Sequence, residues 1–385
     1  MLKIPKTLTL NEIESLYTDL SGTDQQLTIP TELHCAQMGS IGALIQFLIT
    51  WAKTHPGGSL ATHTTKQEQI RSYLGNLAHS HHGLAAMLLS SDILVGKTQQ
   101  SVFAEAFQTC DDALKQMAID EYDELSGPQI LLLCADHTDR AYIPQFYAQV
   151  SRINDQVRGQ KEFTDLADRL ILDLSTRHKR SYPPDDNLRE NLGTILYELF
   201  KNTHLWARHE LNREEIAHSI RGIRLELNQL AQVDVKRQPS RTRAFIADAE
   251  RRKGLVDFIE ISLFDSGPGL AARGLNQEID DHVSLEDEYR GILKCLKKYS
   301  SSSNEDHRGI GLIEVMRTLT EAGALLRIRT GHLALLRNFI NDPLRDDDDL
   351  WLFDWFTESD MLNRARFAEG LLLSMIIPIK VGTQK

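Results

Sequence analysis

The run from Val256 to Phe264 leads directly into Asp265-Ser266-Gly267-Pro268-Gly269. It alternates in polarity and is rich in β-formers, so it predicts a strand. It runs straight into Asp265, and the residues that follow suit a turn. Proline lacks a ladder donor, and two glycines open backbone conformations closed to other residues. A carboxylate is therefore fixed at the rim of a sheet, beside backbone that a planar ligand can approach closely. Such a carboxylate can accept a hydrogen bond from an exocyclic amine. The same five residues would also make an ordinary turn, so their neighbours in the chain matter.

Two more motifs flank this one. Upstream, Leu188, Leu192, Leu196 and Leu199 recur at helical spacing in a segment running from about Leu188 to about Leu211. Asn191, Thr194, Glu198 and Asn202 form a polar stripe on another face. Glu198 and Asn202 are four residues apart and project together, where one ligand can meet both. A carboxylate can take a proton from an attacking water, and an amide oxygen can bind Mg²⁺. A helix with a solvated face would show the same spacing. Downstream, Arg308-Gly309-Ile310-Gly311-Leu312 opens a stretch in which Leu312, Val315, Met316 and Leu319 have helical spacing. Glycines at a helix start leave N–H groups free to meet a phosphate, helped by the helix dipole. Close packing through glycine is the competing explanation for that pair. Three motifs in this order, each on a fitting element, point to a nucleotide and its metal.

Composition narrows the classes. At 385 residues the chain predicts two domains. Hydrophobic residues at 41% and charged residues at 25% suit a globular protein with a real core. No apolar run approaches the roughly 18 residues of a membrane span, so no membrane role is expected. The segment from Met1 to Lys6 lacks the apolar core of a signal peptide. Cys35, Cys110, Cys134 and Cys295 are scattered, without a CxxC pair, which fits free thiols in a reducing cytoplasm. A net charge of −11 disfavours nucleic acid as a partner. The basic stretch from Lys236 to Lys253 is a local exception and reads as a solvated hairpin loop. No GxxxxGK[ST] sequence occurs, which closes the P-loop route to ATP. His79, His81 and His82 cluster without a second ligand pair for a metal.

The first 150 residues alternate between strand-like and helical patterns. Leu27 to Pro30 reads as a short strand, Ile41 to Trp51 as a buried helix, Val102 to Met117 as a helix and Gln129 to Ala135 as a buried strand. An N-terminal α/β domain over residues 1–155 is expected. The polar segment from Asp155 to Lys161 then links it to a second domain over residues 160–385.

The three motifs as a set resemble the GHKL (Bergerat-fold) ATPases, which include type II topoisomerases, MutL proteins, histidine kinases and anti-sigma-factor kinases. Glu198 and Asn202 match the family's N box. Asp265, Gly267 and Gly269 match its first glycine box, and Gly309 and Gly311 its second. Ala324 to Arg329 resembles the strand that follows, and Gly370 to Pro378 the closing strand, so the likeness covers about residues 160 to 380. The resemblance implies a C-terminal α/β sandwich with helices on one face of a mixed sheet. It implies ATP and Mg²⁺ as cofactors. Asp265 would hold the adenine amine, Asn202 would ligate Mg²⁺, and Glu198 would polarise the attacking water. Arg308, Gly309, Gly311 and Leu312 would line the phosphates. The segment from Leu270 to Arg308, with Lys294, Lys297, Lys298 and Ser300 to Ser303, would be a mobile lid.

Departures from the family pattern are specific. Leu371 stands where many members carry Thr, and a segment rich in Asp and Trp between Asn338 and Asn363 interrupts the last hairpin. The carboxylate of Glu198 favours hydrolysis, since histidine kinases usually have an amide there. No phosphoacceptor helix of the His-Glu/Asp-Leu-Arg kind precedes Leu188. No transducer domain is expected after Pro378, so hydrolysis is expected to be slow. The expected function is a slow Mg-dependent ATPase whose lid closure regulates a partner protein or its own N-terminal domain. Alternatives are an anti-sigma-type serine/threonine kinase and a binding module without turnover. A protein partner is expected, and homodimerisation stays open.

Overall fold

The computed structural model describes residues 1–20, 26–63, 67–96, 98–120, 129–148, 156–179, 182, 185–297, 311–345, 350–357 and 361–381. Its first part contains β1 (Leu2–Lys3), β2 (Thr7–Leu8), α1 (Leu10–Asp19), β3 (Gln26–Thr28), β4 (His34–Cys35) and α2 (Ser40–Thr54). β5 (Ser59–Thr62), α3 (Gln67–Ala78), α4 (His81–Leu89), β6 (Asp92–Val95) and α5 (Phe103–Ala118) follow. Next come β7 (Gln129–Ala135), α6 (Gln160–Arg177), α7 (Asp186–Trp206), β8 (Ile220–Asn228), α8 (Gln232–Arg237) and α9 (Ser240–Lys253). β9 (Val256–Asp265), α10 (Gly269–Leu275), α11 (Leu285–Leu296) and α12 (Gly311–Ala322) lead to β10 (Leu325–Gly331), β11 (Leu333–Asn338), β12 (Phe353–Asp354) and β13 (Ala368–Lys380).

Two main sheets make the chain a mixed α/β protein. The four-stranded sheet runs β1-β3-β5-β6 and is parallel. The seven-stranded sheet runs β12-β11-β10-β13-β9-β8-β7, and every neighbouring pair in it is antiparallel. The expectation of a mixed sheet with helices on one face is therefore corrected on both counts. Side chains of β9 alternate between faces. Arg221, the register partner of Asp265, sits over the Phe200 ring of α7, which marks the front face. On the back, a Cβ on Gly42 of α2 would meet Ser262, and Phe245 of α9 packs on Phe258 at 5.9 Å. With both faces covered, β9 is buried at every residue, its polar Asp257, Glu260, Ser262 and Asp265 included.

The strand Gln129–Ala135 pairs along β8, from Gln129↔Glu226 to Ala135↔Ile220. It completes one edge of the seven-stranded sheet, so residues before the 155–160 link belong to the same layer as residues after it. An apolar run fixes burial but not the identity of its partner. α2 is buried at every position from Gly42 to Ala52, as a helix that is apolar all round must be. It lies between the seven-stranded sheet on one side and α1 and α4 on the other.

Lys236 to Lys253 is also corrected: it is not a hairpin loop but α8 and α9. Thr242, Phe245, Ile246 and Ala249 form a buried stripe at helical spacing, and the basic residues lie mainly on the other side. The segment after Asn338 adds β12 as an edge strand on β11. Asp346 to Asp349 lie outside the described residues. Among the described residues, no helix is long and apolar enough to cross a membrane.

Candidate functional site

α7 starts on Asp185, whose side chain accepts the Leu188 N–H at 3.1 Å. Leu192, Leu196 and Leu199 are buried, while Glu198 and Asn202 are half-buried on the neighbouring face. Asn202 Nδ2 donates to the Glu198 carbonyl at 2.8 Å, which leaves Oδ1 as the free acceptor of that amide. Gly311 begins α12 directly opposite. A Cβ there would lie 2.3 Å from Glu198 Oε2 and 3.4 Å from Asn202 Nδ2. A side chain at 311 would displace the Glu198 carboxylate. Leu312 packs half-buried against the core. Arg308 and Gly309 lie outside the described residues, as do Lys298 and Ser300 to Ser303.

Asp265 ends β9 and is 5% exposed. Its Oδ1 accepts the Gly267 N–H at 2.9 Å. A Cβ on Gly267 would lie 2.8 Å from Ala207 Cα, so the end of α7 rests on the glycine turn. Gly269 has φ +83°, and a Cβ there would meet Thr330 Oγ1 at 2.3 Å. Gly370 has φ +74°, and a Cβ there would fall 2.0 Å from the Asp265 carbonyl. Thr330 Oγ1 donates to the Gly370 carbonyl at 3.0 Å and accepts the Leu270 N–H at 3.3 Å. The end of β9, its turn and the start of β13 are thus interlocked around one carboxylate.

Burial pushes the Asp265 carboxyl up to about 6, against the Gly267 N–H and the charges of Arg273, Lys53 and Arg221. Burial also raises Glu198, with Lys201 opposing and Glu314 adding to the rise. Arg273 lies over the Trp206 ring at 5.3 Å and donates to the His209 carbonyl at 3.0 Å.

The expected lid is docked as far as it is described. α10 packs on α11. Buried Glu288 of α11 bonds His332 Nδ1 at 2.6 Å and accepts the His332 N–H at 2.9 Å. Tyr289 Oη donates to the Leu352 carbonyl at 3.2 Å and accepts the Leu352 N–H at 2.9 Å.

Glu198, Asn202 and Gly311 therefore meet in one place, and Asp265, Gly267 and Gly269 in another, with Ala207 joining the two through α7. Sequence reasoning missed Ala207, Arg273, Thr330 and Lys53. Among the described residues no group of three or more His, Cys, Asp or Glu is arranged to hold a metal. Mg²⁺ bound mainly through phosphates and water needs only one or two protein oxygens, and the free Asn202 Oδ1 fits that requirement. His81 and His82 are buried in α4, and His82 Nε2 bonds the Pro30 carbonyl at 2.9 Å.

No family model matches the chain, and neither a curated protein nor a solved structure matches it.

Proposed function

We propose that this chain binds ATP with Mg²⁺ and hydrolyses it slowly, through a Bergerat-type fold in residues 160–385. The observation that carries the reading is the meeting of Glu198 and Asn202 with Gly311, three residues from motifs more than a hundred positions apart in the chain. The antiparallel order β10-β13-β9-β8, backed by α6, α7 and α12, supports the same reading.

In this site Asp265 accepts the adenine amine at the rim of β9, and Gly267 and Gly269 let the turn beside it pack against Ala207 and Thr330. Asn202 Oδ1 would hold Mg²⁺. The ion, when bound, offsets the negative charge of the phosphates. Gly311 and Leu312, with Arg308 and Gly309 before them, would present N–H groups and charge to the phosphates. Glu198 takes the proton of the attacking water. Partial burial raises its affinity for a proton, which suits a general base. Regulation would act through the N-terminal unit, because α2 covers the back of the same sheet.

Mg-dependent phosphate release from the purified chain tests the reading. Glu198→Ala should lower release by roughly 10²-fold or more. Equal slow release by wild type and variant, with ATP still bound by both, would leave a binding module without turnover. Transfer of radiolabel from ATP to a protein would instead favour the serine/threonine kinase. Normal ATP affinity in Asp265→Asn would sink the assignment altogether.

A further inference from the structure

One helix of the N-terminal unit reaches from the middle of the sheet to the rim that carries Asp265. At its start the Gly39 N–H donates to Glu260 Oε2 at 2.7 Å, and Arg327 Nη1 donates to the Met38 carbonyl at 2.7 Å. Glu260 is held in turn by Arg224 at 3.0 Å. Midway along, Gln46 Nε2 donates to the Arg329 carbonyl at 2.7 Å. In the last turn, Thr50 Oγ1 accepts the Glu369 N–H at 3.0 Å. Lys53 Nζ pairs with Glu369 and with Glu210 at 2.9 Å each, and lies 3.5 Å from the Ser266 carbonyl.

Those three partners come from three segments around the Asp265 carboxylate. Ser266 belongs to the glycine turn, and Glu369 precedes Gly370, the glycine pressed against the Asp265 carbonyl. Glu210 follows the end of α7 that touches Gly267. A single ammonium thus gathers the turn, β13 and the segment after α7. The Lys53 side chain is only 16% exposed, so its pairs are screened less than surface pairs. Burial alone would pull its pKa down, but the Glu369 and Glu210 carboxylates carry it above the ordinary lysine value.

We propose that Lys53 is a positioning residue of the nucleotide site, supplied by the N-terminal unit, and that ATP occupancy is linked to the seating of α2 on the sheet. This rests on the ATP reading above. If α2 seats more firmly when the turn is ordered by nucleotide, then a firmly seated α2 must favour nucleotide by the same factor. Arg273, Lys53 and Arg221 also oppose the burial that raises Asp265.

The test uses the full chain. ATP binding is measured by calorimetry from pH 5 to 8 for wild type, Lys53→Met and Lys53→Arg, with amide hydrogen exchange in the presence and absence of ATP. Lys53→Met should bind ATP roughly tenfold more weakly at pH 7, about 1.4 kcal/mol. Its pH midpoint for binding should move upward, and exchange at residues 266–270 should quicken even without nucleotide. Lys53→Arg should restore most of the affinity. In wild type, ATP should slow exchange from Trp51 to Lys53. Unchanged exchange at 266–270 in Lys53→Met overturns the positioning role whether or not ATP is the ligand, and where ATP binds, an unchanged midpoint overturns it too. If Lys53→Met does not fold, Glu369→Gln gives the same affinity and exchange readings. Wild type that binds no ATP defeats the ATP reading and the linkage together, while the ATP-free exchange still judges the clamp on its own.

Discussion

Asp265 is asked to be buried and to be charged, and its pKa of about 6 records that conflict. In folding, a raised carboxyl pKa means that the native state holds a proton more tightly than the unfolded chain. Its contribution to stability is therefore greatest below the ordinary carboxylate range and declines as pH rises towards 6. Ligand binding has the opposite sign, because only the ionised carboxylate can accept from an amine through both oxygens. ATP affinity should hold above pH 6.5 and fall about tenfold for each pH unit below 6. Calorimetric titration across pH 5 to 8 reads this directly, and a flat profile would remove Asp265 from the adenine contact. Gly311 gives a second prediction. A methyl group there would overlap Glu198 Oε2 at 2.3 Å, so Gly311→Ala should displace the carboxylate. Phosphate release should drop at least tenfold, while stability changes by no more than about 1 kcal/mol. The pairing of Glu198 with Asn202 was legible in the sequence, because helical periodicity acts over four residues. Lys53 was not, since its partners Glu210 and Glu369 lie far along the chain.

α2 shows how two layers impose their demands on one element. It approaches the back of the sheet so closely that a Cβ on Gly42 would lie 2.8 Å from Ser262 Oγ and 3.1 Å from Leu372 Cδ1. Gly42→Ala gains helix propensity of about 1 kcal/mol but overpacks this contact, so a net loss of roughly 1–2 kcal/mol is expected. Urea unfolding with an unchanged m-value would measure it; a gain in stability would mean that α2 sits more loosely than described. The apolar run of α2 announced a buried helix correctly. α9 was misread because its exposed Arg and Lys residues dominate the composition of the segment. The stripe of Thr242, Phe245, Ile246 and Ala249 decides its structure. Charge describes the face that meets water, and the weaker periodic signal beneath it describes the face that folds.

At the scale of the whole molecule, the seven-stranded sheet is a shared layer and not the property of one half. β7 closes one edge, and α2, with α9, covers the back. A fragment beginning at residue 156 would lose β7 and α2 together, baring the β8 edge and buried charges such as Arg224 and Glu260. Leaving such charges without their covering contacts costs several kcal/mol, so this fragment should be aggregated or molten. A well-dispersed amide spectrum from it would show the two parts to be separable. The sequence alone determined what is local: the strand that delivers Asp265, the i and i+4 pairing of Glu198 with Asn202, the glycine start of α12 and the burial of α2. Each follows from backbone geometry over a few residues. Tertiary structure decided which strand completes the sheet, what covers its back and which ammonium clamps the turn beside Asp265. Those outcomes depend on contacts such as Gly39 with Glu260, 221 residues apart, and a period of two or of 3.6 residues carries no information over that distance.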